Sequence, residues 1–190
     1  LLRVYRARED ARAVLELAAI NEIADADTVV HLARYDSNYG RYPGLIARSG
    51  DLLAIDQSLV PLSHVRDVAA LPWRELNIDL VFECTGAFSD RTTAEGHLDA
   101  GANRVLFSQP AESDVDATIV FGVNAGELAS DMRVVSAASC TTNAVVPVLD
   151  TLSRAFGIEA ATITTIHSLM NDQPVLDAYH HTDLRKTRAA

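Results

Sequence analysis

The sequence predicts an α/β protein built on a mostly parallel sheet with helices on both faces. Short apolar runs recur at residues 79–84, 105–108, 117–121 and 133–136. Segments with helical apolar spacing lie among them, at residues 25–34, 92–100 and 144–152. Strands alternating with helices imply parallel pairing, because each crossover places a helix against the sheet. The run 79–84 is apolar through its middle, as expected of a strand buried on both sides.

The elements follow in order. Residues 1–8 read as a helix without a cap. Residues 13–20 are ambiguous: the composition suits a helix, and the continuous apolar run before Asn21 suits a buried strand. Residues 25–34 form an amphipathic helix, with Val29, Val30, Leu32 and Ala33 available to a core face. Short strands are predicted at 45–47, 52–55 and 59–62, parted by Ser49-Gly50-Asp51 and Asp56-Gln57 turns. A helical turn opened by Pro72 spans 71–76. The strand at 79–84 ends in Thr85-Gly86, and the helix at 92–100 is stopped by Gly101. Strands at 105–108, 117–121 and 133–136 precede a helix that begins near Cys140. Residues 162–167, β-branched and ending in His167, read as a further strand.

Ligands on such sheets bind beyond the carboxyl ends of the strands. Asn21-Glu22, Thr85-Gly86, Ser108 and Ser139-Cys140 all fall at predicted strand ends, which implies one shared crevice.

The chain has 190 residues, 48% hydrophobic and 22% charged, ordinary for a globular protein with a sizeable core. A net charge of −10 argues against a nucleic-acid surface, which needs clustered Lys and Arg. No apolar run reaches the roughly 18 residues of a membrane span, and no signal-peptide pattern opens the chain. Two cysteines, Cys84 and Cys140, do not make a disulfide framework and suit a reducing cytoplasm. No internal repeat occurs and no metal site is assigned.

The chemistry centres on Ser139-Cys140-Thr141-Thr142-Asn143. A lone cysteine is ordinarily a small buried hydrophobe. Here it sits in a polar run at a strand-to-helix junction. Unpaired backbone N–H groups and the helix dipole there favour a thiolate, and the same groups can hold an oxyanion. His167 supplies the partner that thiol catalysis requires. Ser139 and Thr141 read either as helix-capping residues or as donors to an incoming phosphate. Cys84, on the 79–84 strand, is assigned to packing.

The Cys140 motif, Thr165-Ile166-His167 and His181-Thr182-Asp183-Leu184-Arg185-Lys186-Thr187-Arg188-Ala189-Ala190 resemble the phosphorylating glyceraldehyde-3-phosphate dehydrogenase family. The resemblance runs over the whole chain. Ile20-Asn21-Glu22, Tyr35-Asp36-Ser37-Asn38-Tyr39-Gly40-Arg41, Leu71-Pro72-Trp73 and Glu83-Cys84-Thr85-Gly86 keep the family's order and spacing. Within the family, residues 167–180 look more like the erythrose-4-phosphate dehydrogenase branch.

The resemblance implies a Rossmann-type NAD-binding domain over residues 1–139, and over 140–190 the start of an α+β catalytic domain. It resolves 13–20 as a strand. It also implies a fragment: the family's Gly-rich turn precedes a residue such as Leu1, and most of its catalytic domain follows one such as Ala190. Cys140 and His167 become nucleophile and general base. Glu22 becomes the acceptor of the adenosine ribose hydroxyls, disfavouring a 2′-phosphate and selecting NAD over NADP. Without the family, Glu22 is a solvated loop carboxylate. Asn21 and Arg66 match family positions near the adenosine, although a lone surface Arg is ordinarily just solvated, and Ser108 matches a position near the nicotinamide. Thr85 and Gly86 read either as a close approach to the cofactor or as a plain turn, and Phe88 either as flanking the adenine or as an ordinary packing aromatic. Ser139 and Thr141 would face the substrate.

Four departures stand out. Ala137 replaces a usual Asn, and Ala144 a frequent second Cys. Met170 and Asp172 replace phosphate-contacting threonines, and neither suits a phosphate. Met170 and Asp172 imply oxidation of D-erythrose 4-phosphate to 4-phosphoerythronate, with glyceraldehyde 3-phosphate as the alternative substrate. The other class of reading is a non-catalytic nucleotide-binding or interaction module. The family further implies a cytoplasmic homotetramer at full length, with a small sugar phosphate as its partner and no nucleic acid or membrane.

Overall fold

The computed structural model describes residues 1–168. They fall into two compact units, Leu1–Arg66 with Ser168, and Asp67–His167.

The first unit opens with two short helices, α1 (Leu2–Ala7) and α2 (Glu9–Val14), followed by strand β1 (Ile20–Asn21) and helix α3 (Ala26–Arg34). A small antiparallel hairpin, β2 (Tyr35–Asp36) and β3 (Gly40–Arg41), precedes the strands β4 (Ile46–Ser49), β5 (Leu52–Ile55) and β6 (Ser58–Ser63). The sheet order is β1-β6-β5-β4. Only the β1–β6 pair is parallel, and the rest is an antiparallel meander. Helix α3 starts where expected because the Asp25 carboxylate accepts from the Thr28 N–H, 2.9 Å away. Its Ala26 and Val30, one turn apart, are buried with Ile46, Leu53, Ile55, Val60 and Leu62. Each such aliphatic side chain contributes about 1.5–3 kcal/mol when fully buried. Val29 and Ala33 pack against this core.

The second unit contains β7 (Leu80–Glu83), α4 (Arg91–Asp99), β8 (Arg104–Phe107), β9 (Ala117–Thr118), β10 (Val134–Ser136) and α5 (Cys140–Phe156). Its sheet is parallel throughout, in the order β7-β8-β10-β9. Alternate residues Val81, Glu83, Val105, Phe107, Val134 and Ser136 are buried, as a two-residue period requires. Asp90 caps α4 through the Thr93 N–H. Gly101 ends it with φ of 116°, and a Cβ there would lie 2.4–2.6 Å from Arg74, including its backbone. The Asp116 carboxylate accepts from the N–H groups of Arg133 and Val134 and from the Arg91 guanidinium, tying α4 and the start of β10 to β9.

This is a mixed α/β architecture of Rossmann type, with several departures from the predicted elements. Residues 13–20 are not one strand: Val14 closes α2, and pairing with β6 begins only at Ile20. The parallel arrangement holds in the second sheet but gives way to a meander in the first, because the Gly50 and Asp56-Gln57 turns are too short for a crossover. The helical turn predicted at 71–76 is present as a single turn, in which the Leu76 N–H donates to the Pro72 carbonyl at 3.1 Å. The strand at 117–121 stops at Thr118, where the Asn124 side chain takes the Thr118 carbonyl and the Val120 N–H. Residues 162–167 form no strand, since no ladder partner exists for them among the described residues. Cys84 lies exposed just beyond β7 rather than buried within it.

Candidate active site

The second unit positions the chemistry through one tight junction. Strand β10 ends at Ser136, whose buried hydroxyl donates to the Gln109 carbonyl at 2.7 Å and accepts from the Ala138 N–H at 3.0 Å. The Ala137 N–H is taken by the Phe107 carbonyl. Ala138 is buried and left-handed, with φ of 60°, a conformation that costs a non-glycine residue about 1–2 kcal/mol. The surrounding hydrogen bonds impose it, as is common where strain serves a site. The turn lets Ser139 cap α5: its Oγ accepts from the Thr142 N–H at 2.9 Å. Asn143 braces the junction from within the helix, its amide donating to the carbonyls of Ala137 and Ser139 at 2.7 and 2.9 Å.

Cys140 is therefore the first residue of a 17-residue helix, and it is exposed. Its Sγ lies 3.1 Å from His167 Nε2. That hydrogen bond is the largest influence on the thiol. The slight burial of the sulfur opposes it, and the Thr141 N–H adds to it, leaving the Cys140 pKa below the ordinary thiol value. Cys84 differs: although the residue is exposed, desolvation by the surrounding protein pushes its thiol up, and Ser108 only partly offsets this. The positive end of the α5 dipole lies beside the nucleophile, where an oxyanion would develop.

Two family models match the chain. One, described as glyceraldehyde 3-phosphate dehydrogenase, NAD binding domain, matches residues 2–91. The other, described as glyceraldehyde 3-phosphate dehydrogenase, C-terminal domain, matches residues 139–190, starting one residue before Cys140. The chain belongs to the glyceraldehyde-3-phosphate dehydrogenase family. Its cofactor is NAD, and at family level it is an NAD-dependent oxidoreductase acting on sugar phosphates.

The donor set fits a dinucleotide. In the second unit, Thr85 and Gly86 follow β7, Ser108 follows β8, and Ser139-Cys140 follow β10, all at the C-terminal edge of neighbouring parallel strands. Gly86 has φ of 70° and open space where a side chain would stand, so a ligand can approach its backbone. The Ser108 hydroxyl donates to Gln109 Oε1, and the Gln109 amide holds the Phe88 carbonyl, so the half-buried Phe88 is fixed against this edge.

Asn21, Glu22 and Arg66 belong to the first unit. The Asn21 amide is engaged there, donating one N–H to the Val65 carbonyl and accepting from the Val65 N–H and the Ser63 hydroxyl. It latches β1 to the loop that carries Arg66. One Glu22 oxygen accepts from the Ala24 N–H at 3.1 Å, leaving the exposed carboxylate capacity for ribose hydroxyls. Arg66 is exposed. Met170 and Asp172 lie outside the described residues.

Sequence reading missed Gln109, Asn143 and the left-handed Ala138. Only Asn143 offered a signal, as a short amide side chain in the first turn of a helix.

Proposed function

We propose that this protein oxidises the aldehyde of a phosphorylated aldose through a thioester on Cys140, with D-erythrose 4-phosphate as substrate. The 3.1 Å approach of His167 Nε2 to a thiol at a helix start is the observation that carries the reading. The Cys140 thiolate adds to the carbonyl carbon. The oxygen takes up the His167 proton, giving a thiohemiacetal and a neutral imidazole. Bound NAD supplies the hydride acceptor at its nicotinamide C4. His167 takes the hydroxyl proton back as the hydride departs, leaving a thioester on Cys140. Water releases 4-phosphoerythronate from it; phosphate would release an acyl phosphate. On this reading residues 1–139 hold the cofactor and 140–190 open the catalytic part, which accords with a C-terminal family match that starts at residue 139.

The four-carbon substrate rests on Met170 and Asp172 replacing hydroxyls that would hold a three-carbon phosphate. The test is the ratio of kcat/KM values for the intact protein. A higher value for erythrose 4-phosphate is expected. A higher value for glyceraldehyde 3-phosphate would overturn the branch assignment and leave the family standing.

A further inference from the structure

Two buried polar side chains of the second unit, Glu83 and His97, belong to one directed hydrogen-bond chain that runs from Trp73 to Thr85. Glu83 and His97 are 4% and 3% exposed, among the few buried polar residues described. The Trp73 Nε1–H lies 3.0 Å from His97 Nδ1. An indole N–H can only donate, so Nδ1 accepts and the imidazole proton sits on Nε2. His97 Nε2 therefore donates to Glu83 Oε2, 3.4 Å away. The other oxygen, Oε1, accepts from both the N–H and the hydroxyl of Thr85, the former at 2.7 Å. The Thr85 hydroxyl, its proton committed to Glu83, accepts in turn from the Ala87 N–H at 3.2 Å. The Glu83 carbonyl also accepts from the Ser108 N–H at 3.0 Å.

We propose that Trp73, His97 and Glu83 are positioning residues for NAD: the chain fixes the Thr85–Ala87 turn and makes the Thr85 hydroxyl an acceptor toward the dinucleotide. This rests on the reading of Thr85 and Gly86 as part of the NAD site. Three features distinguish the chain from ordinary core packing. Each donor and acceptor has one direction. A carboxylate is retained in the core even though burial is the strongest influence on it and opposes its charge; the hydrogen bonds from His97 and Thr85 outweigh that influence and leave its pKa below the ordinary carboxylate value. And the chain's exposed end is the glycine turn itself. With its proton committed, Thr85 can take a hydrogen bond from a ribose hydroxyl or an amide, but cannot donate one to a phosphate oxygen.

Glu83→Gln breaks the directionality. Its amide N–H₂ must face either the His97 N–H or the Thr85 donors, so one link is lost. Calorimetric titration of the intact protein with NAD should show Kd raised about fivefold or more, the size of one net hydrogen bond. KM for NAD should rise more than kcat falls, and alkylation of Cys140 without NAD should keep its wild-type rate. Thr85→Val, which keeps the shape and removes the hydroxyl, should also weaken NAD. The double variant should be non-additive with it, because Glu83 acts through Thr85. If Glu83→Gln does not fold, Trp73→Phe paired with Thr85→Val carries the same cycle. A lowered Tm with wild-type Kd, or additive effects on Kd, would show a merely structural core and overturn the proposal. Wild-type protein that binds no NAD would instead overturn the cofactor site on which the proposal rests.

Discussion

Replacing His167 with Asn removes an imidazole that sits 3.1 Å from the Cys140 sulfur while keeping a polar side chain of similar size. Two consequences separate. The His167 hydrogen bond is the main influence lowering the thiol pKa. Without it, iodoacetamide, which reads the thiolate alone, should alkylate Cys140 more slowly at neutral pH, and the inflection of rate against pH should move up. The Thr141 N–H survives the substitution and should keep that inflection below that of a free thiol. The second consequence is the loss of a base during hydride transfer. That typically costs about 10²–10⁴-fold, or about 3–5 kcal/mol in the barrier. Because Cys140 is exposed, solvent screens the electrostatic part of the pairing. The fall in kcat should therefore exceed the fall in alkylation rate. Cys84 serves as an internal control: burial raises its thiol pKa, so it should label slowly and equally in both proteins. An alkylation profile in His167→Asn that coincides with wild type, or a kcat kept across pH, would refute this assignment.

Glu22→Ala should relax the preference for NAD over NADP more than it lowers activity with NAD, measured as the ratio of kcat/KM values; a wild-type preference for NADP would reject the ribose assignment. Asp116→Ala removes an acceptor of two backbone N–H groups and the Arg91 guanidinium. The Val134 N–H leads in lowering this carboxyl's pKa, against burial, with Arg91 and Arg133 adding to it. Folded protein thus binds fewer protons than unfolded, so the stabilisation is present above the ordinary carboxylate range and is lost as pH falls through the depressed folded value. At neutral pH the variant should lose about 2 kcal/mol, or roughly 4–8 °C in Tm, and the gap should close in acid. A gap independent of pH would contradict the account.

The helices were legible because their starts are written in short-range chemistry. Asp25, Asp90 and Ser139 each cap an N–H three residues on, and Gly101 stops α4. The strands β5 and β6 were legible from the turns that bound them. What escaped depended on partners distant in sequence. The β-branched run 162–167 has strand composition, but composition does not supply a ladder. Residues 117–121 look like one strand until Asn124 takes the backbone groups that would extend it. At the site, the Cys140–His167 pair could be read from residue type and order, whereas the left-handed Ala138 that aims it could not. Glu83, His97 and Trp73 lie on separate elements with no common period. Their one trace was a carboxylate at the end of an apolar strand.

The central claim is that Cys140 carries the substrate as a thioester formed by hydride transfer to NAD. Intact protein mixed with NAD and erythrose 4-phosphate, quenched in acid and examined by peptide mass spectrometry, tests it most directly. The account predicts NADH formation together with a phosphoerythronyl adduct on the peptide containing Cys140, both abolished by Cys140→Ser. NADH formed at an undiminished rate by Cys140→Ser, or an adduct confined to Cys84, would contradict it.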